Sequence, residues 1–257
     1  VGIVTAVGKG VRDLAEGDRV ILMGEGGPMC YMEYVTRKAG TVAKISRELP
    51  AEECAVLELF GCAHHCMDVT GEVTGRKVGV MGLGPAGLAI VQMLMLRGPA
   101  EIIGMDIDAN RRDAAKALGV KKLHDPSDDA QFKRLVDEKI DVIIDATGVP
   151  EAMLNSFEIT AHEVVIFGFT NKPFTVDQSK WFQKELVIRN SKVQTIDDLR
   201  AVARLLEEGK IRTKDLIDDI VPFEKYAEAV ERLYRQEAIK ILLTWEGEGK
   251  QGPRSKV

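Results

Sequence analysis

The sequence has no strong excess of either charge sign, no long apolar run, no internal repeat and too few cysteines for a disulfide framework. Its net charge is −5. That balance offers no basic surface to a polyanion and no attraction to an anionic membrane, so neither a nucleic-acid nor a membrane partner is expected. No apolar run reaches the roughly 18 residues that a transmembrane helix needs. No secretory leader is visible. The cysteines are Cys30, Cys54, Cys62 and Cys66, with no Cys-x-x-Cys pair among them. Their spacing fits a reducing compartment, and the cytoplasm is the expected location. An initiating methionine is also lacking. The chain opens inside a β-type run, Val1–Val7, so it is expected to be N-terminally incomplete.

What is present is the balance of a soluble globular protein, 45% hydrophobic and 29% charged. At 257 residues the chain can bury a substantial core in one large domain or two ordinary ones.

One stretch organises the rest. Lys77–Met81 reads as a buried strand, Gly82-Leu-Gly84-Pro85-Ala86-Gly87 as a turn, and the residues through Leu96 as an apolar helix. Strand, glycine turn and helix in that order make a dinucleotide-binding unit. Gly82 permits the tight turn, Gly84 lets backbone approach a pyrophosphate, and Gly87 lets helix and strand pack closely. Pro85 suits the first helical position. The amides of Ala86 and Gly87 then lie at a positive helix end that favours an anion. By itself the glycine pattern fits an ordinary tight turn equally well. The next strand, Glu101–Asp106, decides between them. Asp106 lies nineteen positions after Gly87, near the roughly 20-residue spacing at which an acid meets the adenosine ribose.

Around this unit the period of the sequence changes twice. Residues 1 to about 57 read as short strands, at Ile3–Val7, Val20–Met23, Tyr31–Val35 and Thr41–Ile45, before a helix that starts at Pro50. Strands then alternate with helices. The strands are expected at 77–81, 101–106, 120–124, 140–145, 163–169 and 185–190, and the clearest helices at 85–97, 109–118 and 129–138. Six strands with helical crossovers predict a parallel, doubly wound α/β sheet. After residue 191 helices return. Thr195-Ile-Asp-Asp198 reads as a capping box for Leu199–Glu208, with Gly209 closing that helix. Phe223–Arg235 reads as an amphipathic helix and Ile239–Trp245 as a last strand.

In this order the pieces resemble the medium-chain dehydrogenase/reductase family, in its zinc-dependent alcohol and polyol branch, which includes sorbitol- and threonine-dehydrogenase-like members. The resemblance rests on Gly2–Gly8, Gly17-Asp-Arg-Val20, Tyr31–Val35, Glu58, Gly82–Gly87, Asp106-Ile-Asp108, Asp145-Ala-Thr-Gly148 and Ile239-Lys-Ile241. It implies a Rossmann domain at 60–190 and a partial GroES-like β domain at 1–59, to which the chain returns at 191–245, followed by a tail at 246–257. The family's first zinc-binding cysteine and its Gly-His-Glu motif would precede Val1, so the main catalytic residues are expected upstream. The lobe that holds a second, structural zinc in many relatives is missing between Val20 and Tyr31.

The resemblance and the residues together nominate a site. A carboxylate at Asp106 can accept from both ribose hydroxyls and repels a 2′-phosphate, so NAD is expected over NADP. Arg111 matches a basic position beside the adenosine, and Arg112 follows it; both also fit a solvated helix start. Thr147, Gly148, Gly168 and Phe169 fall at the carboxyl ends of two strands and should border the nicotinamide half. Lys240 matches a position that reaches the cofactor phosphates, and fits a surface lysine as well. Glu58, twenty-four residues before Gly82, matches a glutamate that can coordinate catalytic zinc, although Leu59 stands where relatives carry proline. The plainer reading of Glu58 is a helix-surface acid. Cys62, His64, His65 and Cys66 point around a helix and are not assigned to zinc; Cys30 is expected to be structural.

The reaction implied is NAD-dependent hydride transfer between nicotinamide and a secondary alcohol or polyol, or its carbonyl, with zinc assisting in a full-length protein. A zinc-free NADPH quinone-reductase-like enzyme and a non-catalytic NAD-binding module are the alternatives. A homodimer or homotetramer is implied by the family alone.

Overall fold

The computed structural model describes residues 1–24 and 30–245; the expected tail at 246–257 lies outside them. The chain begins with β1 (Gly2–Ile3), β2 (Arg19–Leu22) and β3 (Val42–Lys44), which form an antiparallel sheet in that order. Two helices follow, α1 (Ala51–Cys54) and α2 (Leu57–Thr70).

Strand and helix then alternate: β4 (Lys77–Met81), α3 (Pro85–Met95), β5 (Glu101–Met105), α4 (Ala109–Leu118), β6 (Lys122–His124) and α5 (Asp129–Asp137). The second half repeats the pattern with β7 (Ile140–Asp145), α6 (Pro150–Ile159), β8 (Thr160–Ile166), α7 (Ser179–Phe182) and β9 (Val187–Asn190). These six strands form one parallel sheet in the order β6-β5-β4-β7-β8-β9. The order reverses between β4 and β7, so the ligand crevice of such a sheet lies beyond their carboxyl ends. Residues Val78 to Met81 of β4 are all buried, as expected for a parallel strand covered by helices on both faces.

The chain closes with α8 (Ile196–Glu207), β10 (Asp219–Pro222), α9 (Tyr226–Tyr234) and β11 (Ile241–Thr244), β10 and β11 pairing in parallel. The capping box of α8 forms as its sequence predicts, Thr195 and Asp198 each bonding the other's backbone amide, and Gly209 has φ +64°. A large apolar core joins the layers, and a second, smaller cluster gathers Met81, Ile103, Met105, Leu135 and Ile143. The large core runs from Ile21, Ala43 and Ile45 through Leu57 and Phe60 of α2 to Val78 and Val80 of β4, and takes in Leu199, Val202 and Leu206 of α8. Helix α2 is therefore the shared wall between the antiparallel sheet and the parallel one.

Three expected strands differ. The one expected at 163–169 runs from Thr160 to Ile166, so Gly168 and Phe169 lie in the loop beyond it. Only Gly2–Ile3 of the run to Val7 pairs, against Arg19 and Val20, with Val4 adding bonds to Gly17 and Asp18. Tyr31–Val35 forms no strand. A ladder needs a neighbouring strand; here the Tyr31 ring instead packs edge-on to Tyr226 at 5.6 Å and near Phe223 at 6.4 Å. The expected helix at Phe223–Arg235 starts as a 3₁₀ turn, Phe223–Lys225, and becomes α-helical from Tyr226. The pairing of β10 with β11 is absent from the sequence reading.

Candidate nucleotide site and the Glu58 cluster

The turn after β4 has the shape its glycines predict. Gly82 has φ +88°, and a Cβ there would sit 2.8 Å from the Thr147 methyl. A Cβ on Gly87 would overlap the carbonyl oxygen of Gly82. Both glycines are therefore required by the protein's own packing. Gly84 is different. It caps α3 with φ −65°, ahead of Pro85 at the first helical position. A Cβ on it would meet nothing closer than the Arg111 guanidinium, 3.9 Å away. That leaves space for a group lying over the amides of the first turn, where the helix dipole favours negative charge. This cradle fits a dinucleotide pyrophosphate.

Asp106 directly follows β5 and is only 5% exposed. Its Oδ2 accepts the Leu83 amide at 2.7 Å and its Oδ1 accepts the Asp108 amide at 2.9 Å. It thus ties the second strand end to the glycine turn and keeps a further lone pair on each oxygen. Arg111 lies 3.7 Å from Asp106 Oδ2, between that carboxylate and Gly84. Arg112 is drawn elsewhere, donating to the Asp106 carbonyl at 2.6 Å and lying 3.5 Å from Asp125.

Across the switch point, Thr147, Gly148, Gly168 and Phe169 come together. Gly148 has φ +67°, and a Cβ on Gly168 would overlap the Gly148 amide nitrogen. These two glycines let the loops after β7 and β8 touch backbone to backbone. Gly148 and Phe169 line a cleft of about 320 Å³ with Val149, Pro150, Thr170 and Asn171. Phe169 is 87% exposed. Beneath the cleft Asp145 is fully buried and accepts from the Thr147 amide and hydroxyl and from Ser156. Burial raises its pKa above the usual carboxylate value despite those bonds.

Glu58 sits in the first turn of α2 and is half-buried. Its Oε1 accepts from the Gln194 amide at 2.9 Å. The carbonyl end of Gln194 accepts the Cys62 thiol at 2.6 Å, and Cys62 Sγ is 3.9 Å from Glu58. A Cβ on Gly24 would come within 2.9 Å of the same oxygen. Burial, and then the Glu58 charge, push the Cys62 thiol up to about 11. Among the described residues the one trio of candidate metal ligands, His64, Asp68 and Asp198, does not include Glu58, so the donors present do not complete a catalytic zinc site around it. Lys240 is half-buried close by; burial lowers its pKa and the Glu58 carboxylate draws it back up. Gln194 is missing from the sequence reading, and nothing in its local pattern marks it.

Three further titratable side chains of α2 are taken up by α8 and the core, while Asp68 pairs with Arg97 on the exposed side. Cys66 is buried, its thiol pushed up to about 12. His64 Nδ1 lies 2.7 Å and His65 Nδ1 3.3 Å from Asp198. Cys30 is exposed, with Arg37 donating to its sulfur.

The family profile described as zinc-binding dehydrogenase matches residues 85–208. L-threonine 3-dehydrogenase of Bacillus licheniformis is 25% identical over 88% of this chain and 67% of its own length. D-arabinitol dehydrogenase 1 of Uromyces fabae is 29% identical over 82% of the chain and 63% of its own length. These likenesses lie with zinc-type alcohol and polyol dehydrogenases, the branch of the medium-chain dehydrogenase/reductase family that the chain resembles. The fold agrees with this placement: the crystal structure of 2R,3R-butanediol dehydrogenase from Bacillus subtilis superposes with a TM-score of 0.82 at 24% identity, covering 95% of this chain and 79% of that one. The chain thus spans about two thirds of the length of the two curated relatives.

Proposed function

We propose that this chain is the NAD-binding part, with a portion of the substrate side, of a dehydrogenase that moves hydride between nicotinamide and a secondary alcohol or polyol, or its carbonyl. The observation that carries the reading is Asp106. A buried carboxylate with lone pairs left at the strand end suits two ribose hydroxyls and opposes a 2′-phosphate. Arg112, occupied by Asp125 and a backbone carbonyl, is not turned toward such a phosphate. The preference expected is NAD over NADP.

In this proposal Gly84, Pro85, Ala86 and Gly87 seat the pyrophosphate against the start of α3. Arg111 lies beside it, and Lys240 supplies positive charge from β11's side. Thr147, Gly148, Gly168 and Phe169 border the nicotinamide half, which supplies the hydride acceptor when bound. Residues 1–59 and 191–245 would make up one GroES-like unit, and 60–190 the nucleotide domain. Glu58 would serve as a zinc ligand only with donors from outside the described residues. With Gln194 and Cys62 as its neighbours among the described residues, the chain alone is expected to bind nucleotide and turn over poorly.

A small-molecule alcohol or carbonyl is the proposed partner, together with a second copy of the chain joined along the exposed strand β9. No described helix is long and apolar enough to cross a membrane, and a cytoplasmic location is the proposal consistent with that. Titrating the protein with NADH and with NADPH, followed by nucleotide fluorescence, tests the cofactor reading. Tighter NADH binding is expected; tighter NADPH binding would point to the quinone-reductase-like alternative.

A further inference from the structure

The seam between α2 and α8 gathers donors that the proposed reaction does not use. His64 and Asp68 lie four residues apart on α2 and so share a face. Asp198 enters from the first turn of α8, 5% exposed. One donor atom from each of the three lies within 4.8 Å of the other two. The oxygens of Asp198 already have partners, His65 Nδ1 lying 3.3 Å from Oδ2. Oδ2 accepts the Thr195 amide and hydroxyl at 2.8 and 2.6 Å, which completes the cap, while Oδ1 faces His64 Nδ1 at 2.7 Å. Asp68 gives Oδ1 to Arg97 at 2.8 Å on the exposed side.

We propose that His64, Asp68 and Asp198 form a site for a first-row divalent cation of the zinc type, which clamps α2 to α8. One imidazole nitrogen and two carboxylate oxygens suit zinc, cobalt or manganese better than the all-oxygen preference of calcium or magnesium. Metal–ligand bonds of about 2.0–2.2 Å bring neighbouring donors closer together than 4.8 Å. The exposed Asp68 is free to rotate inward and close that gap. A cation bound here takes the place of the contact between His64 Nδ1 and Asp198 Oδ1, and it competes with Arg97 for Asp68. Glu58 is not a member of this cluster.

The test is calorimetric titration of the chelator-treated protein with zinc and cobalt chlorides, with a thermal melt and the cobalt absorption spectrum. One-site binding is expected, with a rise in Tm and no thiolate-to-cobalt charge-transfer band. Asp68→Asn should weaken binding by at least the roughly tenfold that losing even an outer partner costs. Arg97→Ala should tighten it, since a competing cation is removed, and a purely structural role for the cluster would not produce that gain. Absence of binding, a thiolate band, or identical affinities for wild type, Asp68→Asn and Arg97→Ala would each overturn the proposal. So would a loss of binding in Glu58→Gln, which would assign the ion to the Glu58 cluster.

Discussion

The position a Cβ would take on Gly87 is already occupied by the carbonyl oxygen of Gly82. The first turn of α3 therefore rides directly on the backbone of the turn beneath it, and neither segment can retreat without moving β4. Gly84, three residues earlier, has open space in the same direction. The two glycines should respond differently to one added methyl group. Gly87→Ala is expected to cost about 1–3 kcal/mol or more through overpacking against backbone. Gly84→Ala should keep its stability and lose nucleotide affinity, because its methyl group projects into the cradle. Urea melts paired with NADH titrations distinguish these outcomes. Equal stability loss in both variants would show that Gly84 is structural as well.

This contrast also shows which parts of the protein were legible in the sequence. The six-stranded sheet was readable because its first three β-α repeats carry their own period and a glycine or capping signal, whereas α6 and α7 have no side-chain cap. Helix α4 forms over the predicted range, with Asp108 capping it and Gly119 ending it in the left-handed region. The antiparallel part was read less well. Whether Tyr31–Val35 forms a strand depends on a partner strand, and no local pattern reports one. The Glu58 cluster was half legible. Glu58 stands at a recognisable distance from the glycine turn, but Gln194 reaches it from 136 residues away. Such a contact exists only after α8 has packed on α2.

Asp106 gives a second prediction. Its two oxygens accept two backbone amides, from Leu83 and Asp108. Asparagine can accept only one of them and would turn a donor toward the other. Asp106→Asn is expected to destabilise the protein by about 1–3 kcal/mol, the cost of an unsatisfied buried amide. It should also narrow the gap between NADH and NADPH affinities, since the charge that repels a 2′-phosphate is gone. Binding constants for both nucleotides, measured where the variant is fully folded, check the second effect separately from the first.

Asp145 should make stability depend on pH in the less common direction. Burial raises its folded pKa above the unfolded value near 3.8. The native state then holds its proton more tightly than the unfolded chain. The stability this contributes is present below the unfolded pKa and is lost as pH rises through the folded one. Asp145→Asn removes that titration and keeps an acceptor for Thr147. Urea-derived stabilities of wild type and variant should therefore move apart as pH rises from about 3.8, with wild type falling relative to the variant. Parallel profiles would mean that the Thr147 and Ser156 bonds cancel the effect of burial.

The edge of the parallel sheet carries the last prediction. Strand β9 pairs with β8 on one side only, and its other side presents unpaired backbone groups. Natural edges are usually blunted by charge, proline or a bulge. Here Val187 and Ile188 are instead 45% and 42% exposed, and Phe182 nearby is 68% exposed. Arg189, half-exposed, is held by Glu163, so the two exposed apolar side chains remain to be covered, and a second copy of the chain offers an identical edge. Light scattering is expected to give a dimer or a multiple of it. Ile188→Lys should shift that distribution toward monomer by placing a charge in the seam, while the far-ultraviolet circular dichroism spectrum stays unchanged. A wild-type protein that is monomeric at micromolar concentration would rule this assembly out, and the exposed edge would then need another explanation.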